Sequence, residues 1–148
     1  TNKVQNKNFR KFIMKTILLL SCLALFNMQA FAAVKDANNQ KILSLIQNGV
    51  PIIDIRTASE WNDTGVIKHS NLITFFDEKG NYNLEEWLSK LKKIAKEGDP
   101  VIIICRSGRR SGIVSKLLDE KIKYTSVYNA SGGILSWIRS KNEIIQHD

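Results

Sequence analysis

The stretch from Val101 to Leu118 constrains the fold of this chain more than any other. Residues 101–104 read Val-Ile-Ile-Ile, an uninterrupted β-branched run typical of a strand that is buried on both faces. A polar loop follows, and after it four aliphatic residues recur at the spacing of one helix face: Ile113, Val114, Leu117 and Leu118. A buried strand that leads into a helix is the unit of a parallel α/β sheet, in which ligands bind where the strands end.

Further strands and helices alternate along the chain on both sides of this stretch. Strands are predicted over 52–55, 72–76 and 126–129. Helices are predicted around Ile42–Ile46, around Glu60 and Trp61, over 83–95 and over 134–139, with 35–40 as a polar linker or first cap. We therefore predict the α/β class, with one domain over 33–148 built as a central parallel sheet flanked by helices on both faces.

The segment before this domain has the three parts of a secretory signal peptide. A basic start at Met14-Lys15 precedes an apolar run from Ile17 to Phe26, and Ala30-Phe31-Ala32 forms the small-residue cleavage pattern. The apolar run is too short for a membrane anchor, since a spanning helix needs about twenty apolar residues. Residues 1–13 form an upstream segment, and we expect Met14–Ala32 to be removed by cleavage after Ala32. This places the mature protein in the periplasm or outside the cell.

A second processing signal overlaps the first. Leu19-Leu20-Ser21-Cys22 resembles a lipoprotein site, at which Cys22 would be acylated. Eight residues from Met14 would precede that cut, which leaves little room for both a basic and an apolar region. Cleavage after Ala32 is therefore the favoured expectation, with no stable membrane insertion of the mature protein.

Cleavage also changes the charge of the protein. The whole chain has 22 basic and 14 acidic residues, a net charge of +8. The segment before residue 33 carries five of the basic residues and none of the acidic ones, so the mature domain has a net charge of +3. Because no basic stripe interleaved with aromatic residues remains, nucleic acid is not an expected partner.

Cysteine usage leaves one thiol in the predicted mature domain. Cys22 belongs to the signal segment, so Cys105 stands alone. An exported domain with one cysteine cannot form an internal disulfide, and its thiol is a candidate for reactivity. The two histidines, His69 and His147, do not combine with cysteines at metal-ligand spacing, so a zinc site is not expected.

The loop that begins with Cys105 has the composition of an anion-binding loop around a reactive thiol. Thiols ionise more readily at a helix N-terminus or beside arginine, and this position offers both. Gly108 permits the positive φ with which successive backbone N–H groups converge on one point. Arginine at a helix N-terminus opposes the helix dipole, so a cluster of arginines there favours a bound anion. The candidate loop comprises Arg106, Ser107, Gly108, Arg109, Arg110 and Ser111. In the structural alternative, Cys105 is a small buried apolar side chain.

Three charged residues after the strand at 52–55 are candidates to support this loop: Asp54, Arg56 and Glu60. Carboxylate–arginine pairs beside a site usually orient the residues that bind or react. We therefore expect ion pairs that fix the loop rather than groups that take part in the reaction.

Three motifs, in this order along the chain, resemble the signatures of single-domain rhodaneses, a sulfurtransferase family. The first is Asp54-Ile55-Arg56, then Glu60-Trp61, Gly65-Val66-Ile67 and Asn71-Leu72. Here the family pattern Gly-His-Ile-x-Gly-Ala is replaced by Gly65-Val66-Ile67-Lys68-His69-Ser70. The second is the loop Cys105–Ser111, and the third is Gly132-Gly133-Ile134-Leu135-Ser136-Trp137. The resemblance covers about Ile42 to Trp137 and implies a rhodanese-like fold.

Loop length distinguishes two branches of proteins with this fold. The resemblance implies Cys-x4-Arg for sulfurtransferases, and the longer Cys-x5-Arg for dual-specificity phosphatases and arsenate reductases. Here Arg110 satisfies the first spacing, while Ser111 occupies the position that the second requires to be arginine. An added residue widens the ring of N–H donors, so the shorter loop favours sulfur over phosphate or arsenate.

The resemblance implies thiosulfate sulfurtransferase activity by covalent catalysis on Cys105. The thiolate would take the outer sulfur of an anionic donor such as thiosulfate, and the persulfide would pass that sulfur to a thiol or to cyanide. Arg109 and Arg110 are expected to attract the sulfonate, and loop N–H groups to stabilise the persulfide. Two alternatives stay open: a non-enzymatic persulfide carrier or partner-binding module, and a phosphatase or arsenate reductase.

Overall fold

The computed structural model describes residues 34–147, so the predicted signal peptide Met14–Ala32 and the alternative lipoprotein site at Cys22 lie outside the described residues. The strands within this range are β1 (Lys35–Ala37), β2 (Ile52–Asp54), β3 (Asn71–Leu72), β4 (Val101–Ile104) and β5 (Val127–Ala130). The helices are α1 (Asn39–Gln47), α2 (Ala58–Thr64), α3 (Leu84–Leu91), α4 (Arg109–Ile122) and α5 (Gly133–Arg139).

The strands form a single parallel sheet with the order β1-β5-β4-β2-β3. The aliphatic strand β4 lies in the middle, where Ile103 is in register with Ile53 of β2 and with Asn129 of β5. All four of its residues are buried. The predicted α/β class and parallel sheet are therefore confirmed.

Helices cover both faces of the sheet, and β4 contributes side chains to both cores. Val101 and Ile103 point to the core beneath α3 and α4, which also contains Trp87, Leu91, Val114 and Leu118. Ile102 and Ile104 point to the opposite core beneath α1 and α5, with Ile42, Leu45, Ile134 and Trp137. This alternation is the period of two expected of a strand, and it explains why the whole run is aliphatic.

Two strands differ from the sequence prediction. The segment expected to be a polar linker contains β1, which pairs with β5 at the edge of the sheet. Lys35 and Asp36 are exposed and Ala37 alone is buried, so this edge strand has almost no apolar pattern. The strand predicted over 72–76 is shorter, but the N–H groups of Ile73 and Phe75 still donate to the carbonyls of Asp54 (3.0 Å) and Ile55 (3.2 Å).

The buried face of α4 is rotated from the predicted one. Ile113, expected inside, is 54% exposed. The inner positions are Ser111, Val114, Ser115 and Leu118. They follow helical spacing, but two of them are serines, so an apolar pattern alone places the face about one residue away from its true position. Between residues 34 and 147, no helix is both long enough and apolar enough to cross a membrane.

Candidate active site

The candidate nucleophile lies directly after the central strand. Cys105 follows β4, is 1% exposed and forms no disulfide. Its Sγ accepts a hydrogen bond from the N–H of Gly108 at an N–S distance of 3.2 Å. The hydroxyl of Ser111 lies 3.3 Å from the same sulfur and 3.1 Å from the carbonyl oxygen of Gly108. A thiolate is a stronger hydrogen-bond acceptor than the Gly108 carbonyl oxygen, so ionisation of the thiol favours donation by Ser111 to Sγ.

Gly108 makes this geometry possible through its backbone conformation. It immediately precedes α4 and has a φ of +91°, a value that residues other than glycine rarely adopt. A Cβ at this position would overlap the backbone carbonyl of Ser131, so the loop lies directly against the turn between β5 and α5. Both the torsion and the close contact therefore require glycine.

The N-terminus of α5 holds the loop from its other side. The N–H of Ile134 donates to the carbonyl of Cys105 at 2.9 Å, and the N–H of Leu135 donates to the carbonyl of Arg106 at 3.1 Å. Gly133 has a φ of +58°, and a Cβ on it would overlap the same Arg106 carbonyl. Two loop carbonyls are thus directed towards α5 and satisfied there. The Gly132–Trp137 motif therefore supports the loop, a function that its sequence alone does not indicate.

Arg110 is bound by Glu60 of α2. Its Nη1 lies 2.9 Å from Oε2 of the carboxylate, and its Nη2 donates to Oε1. Although partial burial opposes ionisation of Glu60, hydrogen bonds from Arg110 and from the N–H of Thr57 hold its pKa below the ordinary value. The same hydrogen bond raises the pKa of Arg110, burial opposes the rise, and the nearby Cys105 and Asp54 contribute to it. The two side chains therefore form a charged pair whose net charge is zero.

A second ion pair lies behind the first and is completely buried. The guanidinium of Arg56 donates to both carboxylate oxygens of Asp54, with Nη2–Oδ2 at 2.7 Å, and neither side chain is more than 1% exposed. Arg56 also donates to the carbonyl of Gly65 at 2.9 Å and to the hydroxyl of Thr64 at 2.6 Å. Its guanidinium therefore fixes the C-terminal end of α2, the helix that carries Glu60, to the end of β2.

An open cleft of about 560 Å³ lies over the loop. Four loop residues line it, namely Arg106, Ser107, Arg109 and Arg110, whereas the buried Cys105 does not. Arg106 and Arg109 are exposed there, and neither has an ion-pair partner between residues 34 and 147. The remaining lining residues are Phe76, Asp77, Glu78, Gly80 and Ile113. The cleft therefore combines basic, acidic and apolar groups.

The histidines lie apart from this cleft. His69 occupies a left-handed turn with a φ of +65°, and the ring of His147 packs against Trp61 with 5.6 Å between centroids. Within the described part of the chain, no group of three His, Cys, Asp or Glu side chains could hold a metal ion.

Comparison with known proteins gives the family of the chain. The family model of the Rhodanese-like domain matches residues 38–140, which includes every element from α1 to α5. The chain belongs to the rhodanese-like family. The resemblance seen in its motifs is thereby confirmed.

Similar proteins include a relative found by sequence and two solved structures. An uncharacterized protein of Rickettsia prowazekii is 30% identical over 92 residues, which cover 60% of this chain and 72% of that protein. The polysulfide-sulfur transferase homodimer of Wolinella succinogenes superposes with a TM-score of 0.61 at 20% identity, covering 78% of this chain and 80% of that one. The thiosulfate sulfurtransferase of Pseudomonas aeruginosa gives a TM-score of 0.63 at 16% identity, over 78% of this chain but 21% of that longer protein. At these identities the two structures are evidence for the fold alone.

Proposed function

We propose that the protein is a sulfurtransferase that carries sulfane sulfur as a persulfide on Cys105. The observation that supports this most directly is the pair of donors around Sγ, the N–H of Gly108 and the hydroxyl of Ser111. Both would stabilise negative charge on a thiolate, the reactive form of cysteine. The cleft above them carries free guanidinium groups suited to an anionic donor.

The first half-reaction loads the thiol with sulfur. The Cys105 thiolate attacks the outer sulfur of thiosulfate, a new S–S bond forms, and the bond between the two thiosulfate sulfurs breaks. The electron pair of that bond leaves with sulfite, so charge is conserved and no external oxidant is needed. Arg106 and Arg109 attract the sulfonate, whereas Arg110, expected to share this role, is held by Glu60 and mainly positions the loop.

The second half-reaction returns the thiol to its starting state. A thiophilic acceptor, either cyanide or a thiol, bonds to the outer sulfur as the persulfide bond breaks and the electron pair returns to Sγ. Gly108 and Ser111 then stabilise the leaving thiolate with the same two hydrogen bonds. The sulfur is carried on the protein itself, so this cycle needs no cofactor.

The phosphatase or arsenate reductase alternative is disfavoured by the position of Ser111. Cys-x5-Arg loops require an arginine here, and this serine is fully buried with its hydroxyl next to Sγ. A persulfide carrier would share the first half-reaction and differ in lacking turnover with small acceptors.

The decisive experiment is the intact mass of the protein before and after thiosulfate, followed by a cyanide chase. We expect the gain of one sulfur atom on Cys105 and its removal as thiocyanate. Cys105→Ser should load no sulfur while keeping the wild-type circular dichroism spectrum. Failure of the wild type to load from thiosulfate or polysulfide would overturn the proposal, and loading without steady-state turnover would indicate a carrier.

We also propose that the protein is exported, with Met14–Ala32 removed. Support comes from the basic start, apolar run and Ala-x-Ala ending of the sequence. The mature N-terminus of protein expressed in a bacterial host tests this. Sequencing from Ala33 is the expected result, and an N-terminal acylated Cys22 or an uncut chain would contradict it.

A further inference from the structure

The cleft over the loop has more chemical variety than an inorganic donor requires. Thiosulfate and cyanide are small anions, for which positive charge next to the thiol is sufficient. Here the cleft has a volume of about 560 Å³ and also carries two carboxylates, Asp77 and Glu78, together with apolar Phe76 and Ile113. Carboxylates weaken the attraction of any purely anionic ligand, so they favour an occupant that also carries a positive charge.

The two carboxylates have different environments. Both oxygens of Asp77 are used within its own loop, where they accept from the N–H groups of Lys79 (2.9 Å) and Asn81 (2.7 Å) and from the Asn81 amide (3.0 Å). Glu78 accepts one hydrogen bond, from the hydroxyl of Ser59 to its Oε1 at 2.8 Å. Its Oε2 has no donor within residues 34–147. Glu78 is therefore the acidic group of the cleft that can receive a ligand.

Two of the three arginines that line the cleft are available to bind a ligand. Arg110 is neutralised by Glu60, which leaves Arg106 and Arg109 as the cations without partners between residues 34 and 147. A ligand in this cleft thus meets two guanidinium groups from the loop that follows Cys105 and one carboxylate from the loop after β3. The complementary ligand has a carboxylate for the arginines, an ammonium for Glu78 and a short apolar body between them.

We propose that the sulfur acceptor is a small zwitterionic aminothiol of the cysteine type, with Glu78 as its specificity-determining contact. This inference rests on the proposed sulfurtransferase function and names the acceptor class of the same site. The acceptor ammonium pairs with Glu78, its carboxylate pairs with Arg106 or Arg109, and its methylene group lies against Phe76 and Ile113.

The transfer step balances without a further reactant. The acceptor thiol loses its proton as its sulfur bonds to the outer sulfur of the persulfide. The bond from that sulfur to Sγ of Cys105 breaks, its electron pair returns to Sγ, and Sγ takes up a proton. The products are the acceptor persulfide and the free Cys105 thiol, so the sulfane sulfur changes carrier with no net oxidation or reduction.

Four acceptors test the proposal on protein preloaded with thiosulfate. Cysteine carries both charges, N-acetylcysteine lacks the ammonium, cysteamine lacks the carboxylate, and 2-mercaptoethanol lacks both. The measured quantity is the second-order rate of persulfide loss, corrected for the thiolate fraction of each acceptor. We expect cysteine to exceed N-acetylcysteine by about threefold to fivefold, the size of an exposed ion pair, and to exceed cysteamine by a similar factor.

A variant that removes the charge of Glu78 tests whether this residue causes the rate difference between cysteine and N-acetylcysteine. Glu78→Gln should bring the cysteine to N-acetylcysteine ratio close to one while cyanide still removes the sulfur. Glu85→Gln removes an exposed carboxylate of α3 that does not line the cleft, and should keep the wild-type ratio.

Each outcome bears on the proposal. Equal corrected rates for the four acceptors, or a ratio unchanged by Glu78→Gln, would overturn the zwitterion proposal and leave the sulfurtransferase function intact, because sulfur was loaded and transferred. Failure to load any sulfur would overturn both proposals.

Discussion

At the scale of single residues, two serines on one face of α4 have different environments. Ser111 and Ser115 are both fully buried. The hydroxyl of Ser111 lies 3.3 Å from Sγ of Cys105, whereas the hydroxyl of Ser115 has no hydrogen-bond partner within the described residues. A hydrogen bond to a charged group contributes about 1.5–3 kcal/mol, whereas an unpartnered buried hydroxyl costs about 1–3 kcal/mol because it has lost its water partners. Alanine variants of the two serines therefore separate the loss of a hydrogen bond to the thiol from the loss of a buried hydroxyl.

We predict that Ser111→Ala slows sulfur loading from thiosulfate by about tenfold, equivalent to about 1.4 kcal/mol. The physical reason is the loss of one of two donors to Sγ, which destabilises the attacking and leaving thiolate. Single-turnover loading, followed by intact mass, measures the rate. Ser115→Ala is the matched control and should load at the wild-type rate. Equal loading rates in both variants would show that the Ser111 hydroxyl does not act on the thiol.

The Glu60–Arg110 pair predicts a pH dependence of stability. The pKa of Glu60 is below its ordinary value, because its hydrogen bonds with Arg110 and Thr57 outweigh the effect of burial. A lowered folded-state pKa means that the ionised carboxylate stabilises the fold above the ordinary glutamate pKa. That contribution is lost as the pH falls through the lower folded-state value.

We therefore predict that Glu60→Gln lowers the free energy of unfolding at pH 7 and that the difference from wild type shrinks as the pH falls through the lowered folded-state pKa of Glu60. Urea unfolding at a series of pH values measures it. Glu143→Gln, which removes an exposed carboxylate outside the helices that has no ion pair in the described range, is the control and should not reproduce this trend. A wild-type to Glu60→Gln difference that grows on acidification would reverse the sign and contradict the assignment.

At the scale of elements, the loop is shaped by the helix that follows the next strand. The N-terminus of α5 binds the carbonyls of Cys105 and Arg106, and this contact leaves no space for a side chain on Gly133. Gly49 offers a matched comparison, since it also has a positive φ, of +77°, but a Cβ there would meet nothing within 4 Å. Substitution by alanine imposes the unfavourable torsion at both positions, but the steric overlap at only one.

We predict that Gly49→Ala costs about 1–2 kcal/mol of stability from the torsion alone and leaves sulfur loading unchanged. Gly133→Ala should cost more and should also slow loading, because the displaced Arg106 carbonyl moves the loop around Sγ. Chemical denaturation and single-turnover loading measure the two effects. Equal losses of stability and unchanged loading in both variants would show that α5 does not position the loop.

The elements also show which parts of the fold are accessible from sequence. The central strand β4 was predictable because burial on both faces makes every residue aliphatic. The edge strand β1 was not, since its pairing with β5 depends on backbone hydrogen bonds and only Ala37 enters the core. The orientation of α4 was predicted incorrectly at Ile113, because two of the inner positions are serines.

Some residues of the candidate site were also predictable from the sequence, and others were not. Cys105, Gly108 and the arginines follow one another in sequence, so a strand–loop–helix unit was enough to bring them together. The partnership of Arg110 with Glu60 spans 50 positions and depends on the sheet order. Glu78 gave no sequence signal, since an exposed acidic residue in a loop is ordinary until its neighbours are known.

At the scale of the whole molecule, stability and reactivity depend on different features. The described domain is held by two apolar cores, one on each face of the sheet, and contains one fully buried ion pair, Asp54–Arg56. Its single cysteine, Cys105, is free and buried, so no covalent link joins its elements. Oxidation of the thiol therefore changes the nucleophile without adding or removing a cross-link.

We predict that mild oxidation abolishes sulfur loading, that dithiothreitol restores it, and that reductant leaves the melting temperature of the untreated protein unchanged. The suitable protein is the full chain with Cys22→Ser, so that Cys105 is its only thiol. Thermal unfolding followed by circular dichroism, with and without dithiothreitol, gives the first readout, and intact-mass loading gives the second. A melting temperature that falls on reduction would reveal a stabilising disulfide between two chains. Loading that survives complete alkylation of the thiol would remove Cys105 from the chemistry.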